Sequence, residues 1–434
     1  MVDGNTMSTD LPISEFKAIV GDEHVLEPRQ IADPLTVDGV SPRLSVAPGD
    51  TDQIQAVMAV CHQHSLAVLP VGGATQLNLG GVPIDALVAI TTSRLNRMVE
   101  HAANDLVVIA EAGLTLSMLQ STLDQHQQYL PLDAPNPKRS TLGGIIATDA
   151  SGPMRLGHGT VRDLLIGVRA VMADGTLIKG GGKVMKNVAG YDLCKLFTGQ
   201  LGTLGIVVEV TLRTKPNPEQ MAVGKSRLSS AEQGEQAVAA LINDFGLPAF
   251  LDITDEDHQV LVVGYQGNRD EVEFMAEHFR RTANAHGLLD TEVLFDADAV
   301  ELHRQLVDFP SRKSTLSFKA TMQSSNVTRS LQEMRDRATS LGLKLSLLAH
   351  AGNGVVLGHL ASDNTEDTRR FVEETASACV SNEGTLVITK AEIALKEMLP
   401  IWGPGQPTWP LFREIKDKLD PKGILNPGRF VGGI

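Results

Sequence analysis

Apolar positions along the chain recur with two periods, one helical and one extended, and the breaks between them outline the elements. Ile54, Val57, Met58 and Cys61 stand at i, i+3, i+4 and i+7, which predicts a helix capped by Asp50 or Thr51. A short apolar strand, Leu66 to Leu69, then empties into the loop VGGATQLNLGG, Val71 to Gly81. Two further apolar runs, Leu87 to Ile90 and Leu106 to Ala110, read as strands. Leu116, Leu119 and Leu123 share one face of a helix over about 115–127. VRAVMADGTLIKG reads as a hairpin turning at Asp174-Gly175. GIVVEVTLRT, Gly205 to Thr214, is a β-branched strand that the prolines of KPNP bring to an end.

KPNPEQ divides the chain. Beyond it, helical stretches near 230–245, 271–286, 326–341 and 366–380 alternate with the strand-like VLVVGY, TLSFKATM, LKLSLLAH, GVVLGHL and GTLVITK. This pattern predicts an α+β domain with helices covering an antiparallel sheet. The expected organisation is a lead-in at 1–39, a glycine-rich domain at 40–217, an α+β domain at 218–395 and a C-terminal segment at 396–434. The last of these opens on a short amphipathic helix, PLFREIKDKL, and ends rich in proline and glycine.

At 434 residues, the chain is long enough for two or more domains. A net charge of −14 argues against nucleic acid, so an anionic ligand needs a local basic pocket. The polar, acidic N-terminus shows no signal peptide and no run has the length of a membrane span, which predicts a cytoplasmic protein. Cys61, Cys194 and Cys379 are scattered, as expected of reduced, buried thiols. An iron–sulfur cluster usually draws on four cysteines, so none is expected within this chain.

The chemistry-bearing signal is a series of glycine clusters in the first domain: VGGATQ, STLGGIIATDASG, LGHGTVRD, KGGGK and GQLGTLG. Glycine permits close backbone approach, so such loops can offer N–H groups to an anion. No Lys-Ser/Thr pair follows the first loop, and it lacks the G-x-G-x-x-G spacing. Few basic residues sit within the loops. That combination favours a large phosphate-bearing cofactor held by backbone, with Thr75, Gln76, Ser140, Thr141, Asp149 and Ser151 adding polar groups.

The succession PVGGATQ, STLGGIIATDASGP, KNVAGYDLCKLFTGQLGTLGIVVEVTL and LDPKGILNPGRF resembles the FAD-linked oxidases with a vanillyl-alcohol-oxidase or p-cresol-methylhydroxylase (PCMH)-type fold. The likeness is clearest over residues 40–215 and in the last twenty. Within that family, GGKVMKNVAGYDL and GPMRLGHGTVRDLLIGVRAV are most similar to the FAD-binding E subunits of bacterial glycolate oxidase.

The resemblance implies a two-part FAD-binding domain, an α+β substrate or cap domain, and a tail returning to the FAD domain. It implies that Gly72, Gly73, Ala74, Thr75 and Gln76 wrap the FAD pyrophosphate and that Thr141, Gly143, Gly144, Ala147, Asp149, Ser151 and Gly152 continue the cradle. Gly205, Ile206 and Val207 would meet the adenine side, and Asn426 the flavin region. It also implies oxidation of a small 2-hydroxy acid such as glycolate or lactate. The implied partners are a catalytic flavoprotein subunit and an iron–sulfur subunit, docked at the inner membrane face. A stand-alone 2-hydroxyacid dehydrogenase and a non-catalytic FAD-bound assembly subunit are the alternatives.

Two departures from the family pattern sharpen these expectations. The first glycine loop has no His or Cys, which implies non-covalent FAD. Metal-dependent members carry His-x-Gly-Asp-Gly-Asn-x-His and a later Glu-His-Gly. Here HAGNGVVL keeps His350 but has Leu357 at the second His, and GTLVITKAEI replaces the Glu-His-Gly, so no metal site is expected. His350 is a catalytic-base candidate or a strand-end histidine bonded to backbone; His359 is a weaker candidate. Lys319 either anchors a carboxylate or stands solvated on the outer face. Lys183 and Lys186 can orient the flavin loop or lie on the surface. Trp402 and Trp409 flank either the flavin mouth or, the preferred reading, a partner surface.

Overall fold

The computed structural model describes residues 11–31, 35–183, 191–243 and 246–434. Its α+β architecture is built on three main sheets. The first has the strand order Val25–Leu26, Leu44–Val46, Val88–Thr91, Val68–Val71, with the last three parallel. Helix Thr51–Gln63 provides the crossover between two of them. Its Asp50 cap accepts from the Gln53 N–H, and Ile54, Val57, Met58 and Cys61 are all fully buried against the sheet. The strand expected at Leu66 starts two residues later, because the Leu66 N–H is drawn back to the Cys61 carbonyl to close the helix.

The second sheet is antiparallel: Met98–Ala102, Val107–Glu111, Ile206–Arg213, Leu165–Val171 and Leu177–Gly181 in spatial order. The β-branched run is thus central, and the Asp174-Gly175 turn closes the expected hairpin, with Gly175 at φ 87°. KPNP does not end pairing outright: Lys215–Pro216 makes a two-residue ladder with Gln128–Tyr129. Val171, Ile206 and Val208 share a core with the first sheet, so the two glycine-rich halves form one body.

The third sheet has eight antiparallel strands. Its order is Leu289–Phe295, Gln220–Arg227, Gln259–Gly267, Phe250–Asp255, Lys344–His350, Val355–Ala361, Leu316–Thr321, Thr385–Ala391. Four helices, Ala231–Asn243, Arg269–Ala285, Val327–Ser340 and Thr365–Ser381, lie close to the sequence expectations and cover one face. Gln220–Arg227, Phe250–Asp255 and Leu289–Phe295 are strands that the apolar pattern does not predict. The first alternates weakly, and the last is largely exposed along its outer edge. Helix Asp296–Val307 covers part of the opposite face through Ala299 and Leu306. The rest of that face is open toward the glycine-rich body.

The C-terminal segment returns to the first sheet. The Val68 N–H donates to the Ile424 carbonyl at 2.7 Å and the Asn426 N–H to the Val68 carbonyl at 2.8 Å. Among the described residues no helix is long and apolar enough to cross a membrane. Cys61, Cys194 and Cys379 are free and buried, and burial pushes the Cys61 thiol up to about 12.

Candidate functional site

Val68–Val71 delivers the first glycine loop to a cleft walled by three loops from separate sheets. The cleft holds a cavity of about 110 Å³ lined by Gly72, Gly73, Ala74, Thr75, Gln76, Thr141, Gly143, Gly144, Ala147, Gly205, Ile206, Val207 and Asn426. All of these are residues that the sequence pattern picks out. Their convergence depends on close backbone packing. A Cβ on Gly73 would run into the Arg139 carbonyl, and one on Gly72 into the Thr141 hydroxyl. These glycines therefore serve loop-to-loop contact at least as much as ligand approach. Thr141 caps helix Leu142–Thr148, accepting from the Gly144 N–H, and Thr75 donates to the Ser140 hydroxyl at 3.2 Å.

The donor set of this cradle suits an anion held largely by backbone N–H groups, with Arg429 the one cationic side chain on its wall among the described residues. Among the described residues, the N–H groups of Gly72, Gly73, Ala74, Thr75, Gln76 and Leu77 find no protein acceptor. Carbonyls farther along the loop are collected by buried cations, one of which, Arg429, itself lines the cavity. Arg429 donates to the carbonyls of Leu77, Leu79 and Gly81 and pairs with Asp38. Lys396 Nζ donates to Asp38 at 2.7 Å and to the Asn78 and Gly80 carbonyls at 2.6 and 3.1 Å. Lys416 Nζ ties the Thr203 carbonyl of the third loop to Asp420 and the Leu425 carbonyl. Sequence reasoning missed all three cations. The only signal was their place in or just before the returning tail.

A second, larger cavity of about 460 Å³ lies between the end of the first loop, residues 148–155 and the open face of the eight-stranded sheet. Thr75 and Gln76 line both cavities. Asp149 and Ser151, expected in the pyrophosphate cradle, face the large cavity instead. Gly152 lies on neither wall: its N–H donates to the Asp133 carbonyl, and a Cβ there would press on the Asp133 side chain.

The sheet presents Ser317, Lys319 and Thr321, then Val355, Leu357 and His359, and Thr385, Val387 and Thr389 to this cavity. Cross-strand register places Lys319 between Leu357 and Val387, apolar on both sides. Lys319 is therefore not a solvated outer lysine, and it has no hydrogen bond or ion pair among the described residues. Burial pushes its ammonium down from the usual lysine range, Arg155 adds to that, and Asp149 opposes it. Among the described residues Arg155 donates only to the carbonyls of Gly152 and Ser151. Burial raises the Asp149 carboxyl, although Lys319 and Arg155 pull it back, and its Oδ1 is buried without a partner.

His350 ends its strand directly opposite Asp252. Its Nδ1 is 2.9 Å from Asp252 Oδ1, so the strand-end histidine is bonded to a carboxylate and not to backbone. A carboxylate only accepts, so Nδ1–H donates to Asp252, and Nε2 is buried without a partner among the described residues. His359 is fully used: its Nε2 donates to the Phe309 carbonyl at 2.8 Å, Ser317 Oγ lies 2.9 Å from Nδ1, and burial holds its pKa low. A second buried pair, His303 Nε2 with Asp133 Oδ2 at 3.1 Å, joins the cap to the glycine-rich body.

Trp402 lines the cavity, against the preference for a partner surface, and stacks edge-on with Phe430. Lys183 lines neither cavity and pairs with Glu100 at 2.5 Å; Lys186 lies outside the described residues. No group of three or more His, Cys, Asp or Glu among the described residues is placed to hold a metal ion.

Paired cavities of this kind, clasped between a two-part glycine-rich body and an antiparallel cap, define a PCMH-type flavin-oxidase fold. The 4-ethylphenol oxidase of Gulosibacter chungangensis superposes with a TM-score of 0.75 at 16% identity, covering 96% of each chain. Family models agree along the sequence: "FAD binding domain" matches residues 42–181 and "FAD linked oxidases, C-terminal domain" residues 231–430. The chain belongs to the FAD-linked oxidases; it is an FAD-dependent oxidoreductase. Glycolate oxidase subunit GlcD of Bacillus subtilis (strain 168) is 26% identical over 418 residues, covering 90% of this chain and 89% of that one. A D-lactate dehydrogenase of Archaeoglobus fulgidus is 28% identical over 407 residues, covering 89% and 90%.

Proposed function

We propose that this chain is the FAD-binding subunit of a glycolate oxidase (glycolate dehydrogenase) complex. In this reading it oxidises a small 2-hydroxy acid, glycolate or lactate, to the 2-oxo acid. Alternatively it relays electrons from a sister flavoprotein to an iron–sulfur partner. The observation that carries the reading is His350, held through Nδ1 by Asp252 on the wall of a cavity that also contains Lys319 and Arg155, neither of them ion-paired among the described residues. Likeness to a glycolate oxidase subunit and a D-lactate dehydrogenase supports the substrate class.

Residues 40–217 would bind FAD, 218–395 would cover the flavin, and 396–434 would brace the cradle. The N–H groups from Gly72 to Leu77 fit the pyrophosphate, with Thr141, Gly143, Gly144, Ala147 and Asn426 completing its walls and Gly205, Ile206 and Val207 on the adenine side. Bound FAD supplies the two-electron acceptor that side chains lack. His350 Nε2 takes the substrate hydroxyl proton, and Asp252 holds the ring in the required tautomer and stabilises the imidazolium that results. The first glycine loop has no His or Cys, so acid precipitation should leave the flavin in the supernatant.

A stand-alone 2-hydroxyacid dehydrogenase is the second reading, favoured by the same oriented His350. Anaerobic addition of glycolate or D-lactate to the FAD-loaded chain separates them. Bleaching that reoxidises only with an added iron–sulfur partner supports the subunit reading, and rapid reoxidation by a soluble dye alone supports the stand-alone enzyme. Absence of flavin after purification with excess FAD would overturn both. Cytoplasmic location, with peripheral membrane contact through the partners, belongs to the subunit reading.

A further inference from the structure

The buried cations Lys396, Lys416 and Arg429 each have a carboxylate and carbonyls, whereas three cations on the large cavity, Lys319, Arg155 and Lys390, have no carboxylate within ion-pair distance among the described residues. Lys319 has no polar partner at all among the described residues, and its flanking strand positions, Leu357 and Val387, cannot supply one. Arg155 spends part of its fork on two carbonyls and pairs with no acid. Among the described residues Asp149 is the only carboxylate lining the cavity, and one of its oxygens is itself unsatisfied. A partly buried cation that makes no ion pair keeps its charge available to an entering anion.

We infer that Arg155 and Lys319 form a carboxylate clamp that fixes the acid group of the substrate, with Asp149 tuning its net charge. The inference rests on the reading of the chain as a 2-hydroxyacid oxidoreductase and names the residues that recognise the acid. Arg155 meets a carboxylate oxygen through the part of its fork left free. Lys319, projecting from the middle of its strand, supplies a compact positive charge to the carboxylate. Both cations belong to the protein, so recognition needs no bound metal. Asp149 keeps the site from carrying two uncompensated charges before the ligand enters, and its own repulsion of the ligand holds affinity in check.

The test titrates the FAD-loaded chain with oxalate, a small dianion shaped like a 2-oxo acid, reading the flavin absorbance shift and Trp402 fluorescence. The wild-type protein should bind, and Lys319→Met or Arg155→Met should weaken binding by about tenfold or more with FAD content unchanged. Lys319→Arg should recover part of that loss. Asp149→Asn should tighten oxalate binding, an opposite sign that misfolding would not produce. Binding within twofold of wild type in both methionine variants, or no oxalate signal in the wild type, would overturn the clamp. Bleaching by glycolate or D-lactate would then still test the 2-hydroxyacid reading independently of the clamp.

Discussion

The two cavities treat positive charge in opposite ways. Around the cradle, Lys396, Arg429 and Lys416 are buried, and each is bonded to carboxylate and carbonyl oxygens. Their work is mechanical: they gather loop carbonyls, while the N–H groups of Gly72 to Leu77 stay unpaired among the described residues. In the cap cavity, Lys319 and Arg155 are left short of partners. A satisfied buried cation shapes the chain, while an unsatisfied one is reserved for what enters.

The largest break in that contrast should come from Arg429→Met. It leaves Asp38 with Lys396 as its only cationic partner among the described residues and strands three loop carbonyls, a cost of about 3–5 kcal/mol. Purified variant should carry little FAD and melt well below wild type, while oxalate binding to any residual holoprotein stays normal. Gly73→Ala should follow, with FAD affinity falling about tenfold or more because the new methyl meets the Arg139 carbonyl. Gly405→Ala, whose methyl would approach only the Trp409 ring at 4.0 Å, is the control, expected within about 0.5 kcal/mol of wild type. On the cap side, His350→Gln should retain FAD yet slow flavin reduction by roughly 10²–10⁴-fold, checked by anaerobic stopped flow.

The smallest effect concerns the pair that joins the two regions. Asp133 raises the His303 pKa above 6.5 against burial, so the His303 contribution is present below 6.5 and fades as pH rises through the folded value. The Asp133 carboxyl is held below 3.8 by His303, the Met154 N–H and, more weakly, His350, against the opposing effect of burial; its contribution disappears only on acidification. His303→Gln should therefore lower the melting temperature by about 2 °C near pH 5.5 and by less at pH 8.5. An equal deficit at both values would mean that the His303 charge contributes nothing.

Local elements were legible where periodicity and turn chemistry agreed. Helix Thr51–Gln63, the hairpin at Asp174-Gly175 and the four cap helices follow from spacing and capping alone. The cradle residues were legible through glycine clustering, because backbone-lined sites leave a compositional trace. Gln220–Arg227 was hidden because its pairing partners lie far along the chain and its alternation is weak. Lys396 and Arg429 were hidden for a related reason: a cation's partner carbonyls have no side-chain signature.

Sequence by itself determined the flavin-oxidase class, the glycine loops and the absence of the metal-ligand pattern at Leu357, since these depend on residue type at short range. Tertiary structure decided which candidates face which cavity. It moved Asp149 and Ser151 to the large cavity and took Gly152 off both walls. It also turned Lys319 inward and gave His350 its Asp252 partner, 98 residues distant. Facing and pairing are set by strand register across the sheet, where one residue of shift reverses every side chain, and no local pattern encodes that register.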